Sequence, residues 1–527
     1  MRMALMVVLA LGAATVPAGA VVRYVDGSAP AGGDGRSWQA AFFRLQDALA
    51  AAQSGDEVRV AGGVYKPGAP GSGRNVSFVL RDGVTMRGGY AGRGSGTPDA
   101  RDPSVFVTTL SGDLNGDDVP NGGGRSDNCF HVVSATMLSS GVIVDGFRVV
   151  GGNADGVANP SGFSDRGGGV FAQINPALSG GAVLRLVGCV LEDNDGKLGG
   201  GASTYAVDCR AERTVFRGNR AQSGGGFGDT SNSATQQRHA FIGCLFEGNL
   251  ATGLGGSAIM CMPNTYELWV VGVRFTRNTA LGGGAIYTTG SFQAHGRAIN
   301  CVFDRNRASD GAAWFDDFTT TNRIVNCTIV DNSSTGSGGA AIVSIGLDMR
   351  IANSILRDPE TSVEISGGSL VSVRSSDVRG GHAGAGNIDA DAGFRNAATG
   401  DYRLRRGSPC VDSGVNAEML PDQFDLNGNG NTVEPTPFDM SGAARFVDDP
   451  ASPPNGVVTV DMGAFERRVC PGDADDDLVV TFADLNIVLG QFGRTGAVGA
   501  LAGDLDGDGV VGFADLNIVL GAFGNPC

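Results

Sequence analysis

Between Cys189 and Asn332 the chain repeats one phrase six times. The copies read CVLEDN, TVFRGN, CLFEGN, VRFTRN, CVFDRN and CTIVDN, and they end on Asn194, Asn219, Asn249, Asn278, Asn306 and Asn332. They follow one another at intervals of 25, 30, 29, 28 and 26 residues. A unit of that length cannot close a core of its own, so it must bury its apolar face against the next copy in a stack of coils or blades. Seven, five and three residues before the asparagine stand Val187, Cys189 and Leu191 in one copy and Ile299, Cys301 and Phe303 in another. That is the period of two expected of a strand with one buried face.

Two residues after the asparagine comes a small residue (Ala221, Ala251, Ala280, Ala308), then a glycine cluster such as GGGAIY and a second short apolar run. No segment sustains a 3.6-residue period, so each unit is predicted to hold two or three short strands joined by tight turns. A parallel β-helix is the economical solution, because propeller blades usually need about 40 residues each. Coils stacked ~4.8 Å apart would align equivalent positions into ladders. Cys189, Cys244, Cys301 and Cys327 then share one buried position with Thr214 and Val273, which selects small side chains and not metal ligands. Cys301 and Cys327 fall in adjacent coils, within reach of a disulfide. Glu192, Arg217 and Glu247 face outward with alternating sign, as cross-strand charge pairs. The six asparagines are predicted to satisfy bent backbone through their amides, in turns where Asn tolerates left-handed geometry.

The flanks suit an exported protein. Arg2, the apolar stretch ALMVVLALGAA and AGA at Ala18 to Ala20 read as a secretory signal peptide over residues 1–20. No later apolar run reaches the roughly 18 residues that would span a bilayer. The 86 glycines punctuate the repeat, and a net charge of −16 argues against nucleic acid or an anionic membrane as partner.

The layout resembles the right-handed parallel β-helix family related to pectin lyase and to the polymorphic outer-membrane repeat proteins, whose repeats also read GGA and FxxN. The resemblance covers residues 129–400. The segment before it, RYVDGSAPAGGDGRSWQAAFFRLQDALAAAQSGDEVRVAGGVYKP, looks like the opening of secreted bacterial β-helix proteins, with an amphipathic helix around Phe42 to Ala52 to cap the stack. Residues 21–128 are thus expected to form the cap and first coils. Residues 401–469, including DYRLRRGSPCVDSG and VDMGAFE, resemble the closing segment and linker of similar surface proteins.

A catalytic set is not visible in the coils. A polygalacturonase-like hydrolase would need paired Asp residues with GHG and RxK elements. Asp316 and Asp317 are consecutive strand residues pointing to opposite faces, no GHG occurs, and Lys66 and Lys197 are the only lysines. His131, His239, His295 and His382 are each isolated and read as surface or turn residues. Tyr287 and Trp314 share an offset after their glycine clusters, so they are predicted to stack in neighbouring coils, packed inward or holding a sugar face. Asp425, Asn427, Asn429 and Asn431 could wrap a cation or form a solvated turn, and Gly112 to Asp118 is a weaker version.

The last 58 residues carry nine Asp against one Arg, which is half of the net charge. There GDADDDLVVTFADLNIVLGQFG is followed 31 residues later by GDLDGDGVVGFADLNIVLGAFG. The first phrase places oxygen donors at Asp473, Asp475, Asp477, the Val479 carbonyl, Thr481 and Asp484, which are positions 1, 3, 5, 7, 9 and 12 of a calcium loop. The second gives Asp504, Asp506, Asp508, the Val510 carbonyl and Asp515, with Gly512 at the ninth position. Each loop leads into a helix with Phe482, Leu485, Leu489 and Phe492, or Phe513, Leu516, Leu520 and Phe523, on one stripe.

Two such loops resemble the type I dockerin over residues 470–527. The resemblance implies two bound Ca²⁺ and a cohesin-like domain or cell-surface scaffold as partner. Leu478 stands where glycine is usual, Phe482-Ala483 and Phe513-Ala514 are apolar where many dockerins are polar, and Cys470 and Cys527 bracket the module for a disulfide. The fold expected is therefore mainly β: a right-handed parallel β-helix followed by a small α-helical calcium-loop domain. The function expected is that of a secreted, anchored protein binding polysaccharide or cell wall, the alternative being a dockerin-delivered glycoside hydrolase or polysaccharide lyase.

Overall fold

The computed structural model describes residues 19–119, 123–157, 163–178, 180–231, 236–262, 265–290, 293–319, 321–336, 339–359, 363–367, 370–449, 458–468, 470–496 and 501–524. The expected leader lies outside these apart from Gly19 and Ala20.

Four short strands make one coil, more than the two or three predicted. In one coil they are Ala202–Tyr205, Asp208–Glu212, Val215–Arg217 and Arg220–Ala221, and each pairs in parallel with its counterpart one coil on. Among the described residues this builds parallel sheets of ten, twelve, eleven and seven strands, in that order around the coil. The result is a parallel β-helix whose regular strands end at Val378.

Two corners of each coil adopt left-handed backbone. One comprises Gly188, Arg213, Gly243, Gly272, Asn300, Asn326 and Asn353, with φ from 48° to 60°. The other comprises Asp193, Gly218, Gly248, Arg277, Arg305 and Asp331, with φ from 52° to 63°. This corrects two expectations. The residue before each turn asparagine is left-handed, not the asparagine itself. The first corner also interrupts the period of two, so Val187 and Ile299 lie on the outer side of the preceding strand while Cys189, Leu191, Cys301 and Phe303 point inward. Glycine clusters follow because the coils run too close for side chains there. A Cβ on Gly284 would stand 1.8 Å from the Gly311 carbonyl oxygen.

Inside, the ladders form as predicted. Leu191, Phe216, Phe246, Phe275, Phe303 and Ile329 occupy one register, and the phenylalanine rings stack at 4.5 to 5.2 Å. The cysteine position is fully ordered too, with Cys189, Cys244, Cys301 and Cys327 buried in line with Thr214 and Val273. Cys301 and Cys327 are free thiols, not a bridge, and each donates to main-chain carbonyls, Cys301 to Val270 at 3.3 Å and Cys327 to Val325 at 3.4 Å. Each turn asparagine gives its amide to the side-chain oxygen of the next, at 2.9 to 3.1 Å. Asn332 ends the series on Asp358 at 3.0 Å.

At the N-terminal end helix α1 (Leu45–Ala51) is shorter than predicted, and Leu45, Ala48 and Leu49 join the main core. The closing segment does more than end the stack: it runs back along the outside of several coils. Cys410, Val411 and Met462 pack on Ile355, Tyr402 and Phe465 on Val302 and Val330, and Leu420 and Phe424 on Trp269, Ile299 and Val325. The corner asparagines explain the path, since Asn300, Asn326 and Asn353 donate to the carbonyls of Phe438, Asp461 and Val415 at 2.6, 2.9 and 3.1 Å. Earlier coils carry glycine or arginine at that corner and, among the described residues, make no such bond.

Beyond it, α2 (Phe482–Gln491) and α3 (Phe513–Ala522) pack on each other over Val480, Val488, Val511 and Val519. The predicted stripe meets this core only in part: Leu485 and Leu516 pack against it, half-buried. Phe482 and Phe513 are 69% and 72% exposed, and Leu489 and Leu520 lie outside as well, because Leu485, Ile487, Leu516 and Ile518 close the small interior with the valines.

Candidate functional site

The doubled loops converge. The side-chain oxygens of Asp473, Asp475 and Asp484 lie within 4.8 Å of one another, as do those of Asp504, Asp506 and Asp515. Asp477 and Asp508 stand on the same turns without joining these clusters, and the Thr481 hydroxyl lies 3.4 Å from the Asp484 carboxylate. Each twelfth-position carboxylate is fully buried and receives main-chain N–H groups from both ends of its loop. Asp484 accepts from Ala474 and Thr481 at 2.7 Å, and Asp515 from Leu505 at 2.6 Å and Gly512 at 2.7 Å. The last bond of each set also fixes the first turn of the helix behind it, with Thr481 capping α2 through the Ala483 N–H at 3.1 Å.

Clustered carboxylates in a half-buried place are costly as anions. Burial, reinforced by the neighbouring Asp476 and Asp484, pushes Asp473 up to about 6. Asp475 and Asp506 are raised by burial and by the carboxylates around them. Oxygen-only donors held in tight turns, with their charges uncompensated, fit a hard dication. At the sixth position Leu478 takes φ +71° where the second loop has Gly509 at +83°. At the fourth, Asp476 takes +60° where the second loop has Gly507 at +74°.

Asp476 has a second use that its sequence position did not reveal. It accepts from the Arg406 main-chain N–H and from the Arg467 guanidinium, both at 3.0 Å. Arg406 in turn donates to the Asp504 carbonyl at 2.5 Å. Two arginines of the closing segment thus hold both loops. Cys470 is disulfide-bonded, and Cys527 lies outside the described residues. The loop at Asp425 folds onto itself, with the amides of Asn427 and Asn429 donating to Glu434 at 2.7 and 2.8 Å. Asp113, Asp117 and Asp118 also come together, at the turn that follows Gly112.

On the coils, Glu192, Arg217 and Glu247 form the predicted charge ladder, with Arg217 at 3.6 and 2.9 Å from the two acids. Asp316 is buried, accepting from Ser344 at 2.8 Å, while Asp317 points outward and accepts from Tyr287 at 2.8 Å. They form no shared acid pair. The aromatic pairing shifts by one residue: Tyr287 stacks on Phe315, 5.5 Å between centroids, and Trp314 lies in the core with its indole N–H on Thr288 at 2.8 Å. Each outer ring spends one face on the other. His239 also departs from expectation. It is fully buried, 2.9 Å from buried Asp229, and neither its place in an inward strand position nor its partner could be seen from an isolated histidine.

Residues 272–289 match the family described as the Chlamydia polymorphic membrane protein repeat. No curated protein matches the chain. Among solved structures, that of pectate lyase Pel9A is similar with a TM-score of 0.45 at 12% identity, over 85% of this chain and 96% of that one. Among the described residues no helix is long and apolar enough to cross a membrane.

Proposed function

We propose that this chain is a secreted, calcium-binding protein, held in an extracellular or cell-surface assembly by residues 470–527, whose β-helix binds polysaccharide or cell wall. The observation that carries the reading is the pair of converging carboxylate sets, Asp473, Asp475 and Asp484 with Asp504, Asp506 and Asp515. Each is followed by a helix of the same length in the same register. Calcium bound there would neutralise charge that the turns now hold close together. The chain's own residues do the rest. Asp484 and Asp515 tie each loop to its helix, and the exposed Phe482, Leu489, Phe513 and Leu520 offer an apolar face to a cohesin-like partner. The β-helix supplies a long rigid surface. Because Asp316 and Asp317 face opposite ways, binding ranks above cleavage.

The test uses the full mature chain. Calorimetric titration with calcium is expected to show two sites that chelator removes. Gel retention on plant and algal polysaccharides is expected without new reducing or unsaturated ends. Absence of calcium binding would remove the anchoring reading, and product formation would reverse the order of binding and cleavage.

A further inference from the structure

Where the coils turn into the asparagine ladder, Arg277 and Arg305 occupy a left-handed corner that earlier coils give to Asp193, Gly218 and Gly248. They stand on consecutive coils, the Arg277 main-chain N–H donating to the Asp304 carbonyl at 3.1 Å. Just past the corner Arg307 sits in the seven-stranded sheet between Thr279 of the coil before and Ser333 of the coil after. These five side chains and Asp331 line a groove of about 580 Å³.

Three guanidinium groups therefore meet one carboxylate in this groove, on a chain of net charge −16. The ion pairs that two of them make are long. Arg277 is 3.5 Å from Glu247 and Arg305 is 3.7 Å from Asp304. Arg305 is oriented by the carbonyls of Ala397 and Ala398, at 2.9 and 3.0 Å. Arg307 is exposed and, among the described residues, makes no ion pair. Strained backbone persists where the side chain it carries has a use, and here glycine serves the same corner on the coil just before Arg277.

We propose that this groove binds oxyanions, supplied as the acidic groups of a linear polysaccharide laid along the coils. Guanidinium forks match the paired oxygens of carboxylate or sulfate. Coils ~4.8 Å apart repeat on the scale of a single sugar, so successive acidic groups would meet successive coils. The hydroxyls of Thr279 and Ser333 lie where sugar hydroxyls would pass. The polymer part of this inference rests on the polysaccharide reading above, whereas the anion site stands on the groove itself.

Affinity electrophoresis of the full chain through gels holding polygalacturonate, a sulfated galactan or neutral xylan tests it, together with titration by inorganic sulfate. The variants are Arg307→Ser and Arg277→Gly, the second giving the corner its easier residue. Each is expected to weaken retention by the acidic polymers about tenfold, with melting temperature equal to or above that of the parent. Added salt should weaken the parent's retention more than the variants'. If both variants are retained like the parent, or if neutral xylan is preferred, the groove is not the site, although the polysaccharide reading survives. Binding of sulfate alone, lost in the variants, would keep the anion site and remove the polymer. No retention by any acidic polymer and no binding of sulfate would overturn the proposal.

Discussion

Two left-handed positions carry the strain that distinguishes the two loops. Leu478 and Asp476 both sit in the left-handed region that Gly509 and Gly507 occupy freely, and each such residue costs about 1–2 kcal/mol. A penalty of that size changes an equilibrium roughly 5- to 30-fold. Leu478→Gly should therefore tighten calcium in the first loop, read as a shift of the weaker of two calorimetric sites. Asp504→Ala should harm calcium-induced folding of residues 470–527 more than Asp473→Ala does, by helical circular dichroism. Equal titration of both loops in the parent would contradict this. Charge at one buried residue predicts a pH effect. Burial pushes Glu466 up to about 9, against the pull of the Arg445 guanidinium whose Nε is 3.4 Å away. A raised carboxyl favours the fold fully below its unfolded value and loses that contribution as pH rises through about 9. The melting temperature should fall over that window, and Glu466→Gln, neutral throughout, should fall less.

At the level of one coil, amides outweigh charges. Replacing Asn278 by Ala takes the acceptor from Asn249, whose amide and main-chain N–H both point at it at 2.9 and 3.0 Å. It also opens one end of the bond to Asn306. Unsatisfied buried groups cost about 1–3 kcal/mol each, so Asn278→Ala should cost ~2–4 kcal/mol in denaturant unfolding. Arg217→Ala, on the exposed charge ladder, should cost under ~1 kcal/mol. A reversed ranking would show that the amide ladder is not what fixes the turn. Ladder positions were legible in the sequence because stacking forces one size and polarity on a column, as at Cys189, Thr214 and Cys244. Corners were not. Glycine, arginine and asparagine all serve the first one, and only the path of the closing segment explains why Asn300, Asn326 and Asn353 fall together. The loops were legible through their doubled spacing. Their ties to Arg406 and Arg467 were not, since those residues are about 70 and 9 positions away in the chain. The apolar stripe of α2 misled for a further reason: Phe482 and Val488 both repeat in the two phrases, and repetition cannot say which of them faces in.

Over the whole molecule the same ties join two bodies. Asp476→Gly would remove the acceptor shared by Arg406 and Arg467 at a position whose φ of +60° suits glycine. Arg467 would keep its pair with Asp449, so the coils should melt unchanged while the terminal module swings free. Small-angle scattering should then show a larger maximum dimension, and an unchanged profile would mean that the Arg406 guanidinium, through the Asp504 carbonyl, holds the module in place by itself. The route of the closing segment matters for how such a molecule bears tension. Its bonds to Asn300, Asn326 and Asn353 lie on three successive coils. A pull on the terminal module would therefore strain them together, in shear, whereas a pull on a segment attached only to the last coil would unzip the stack one turn at a time.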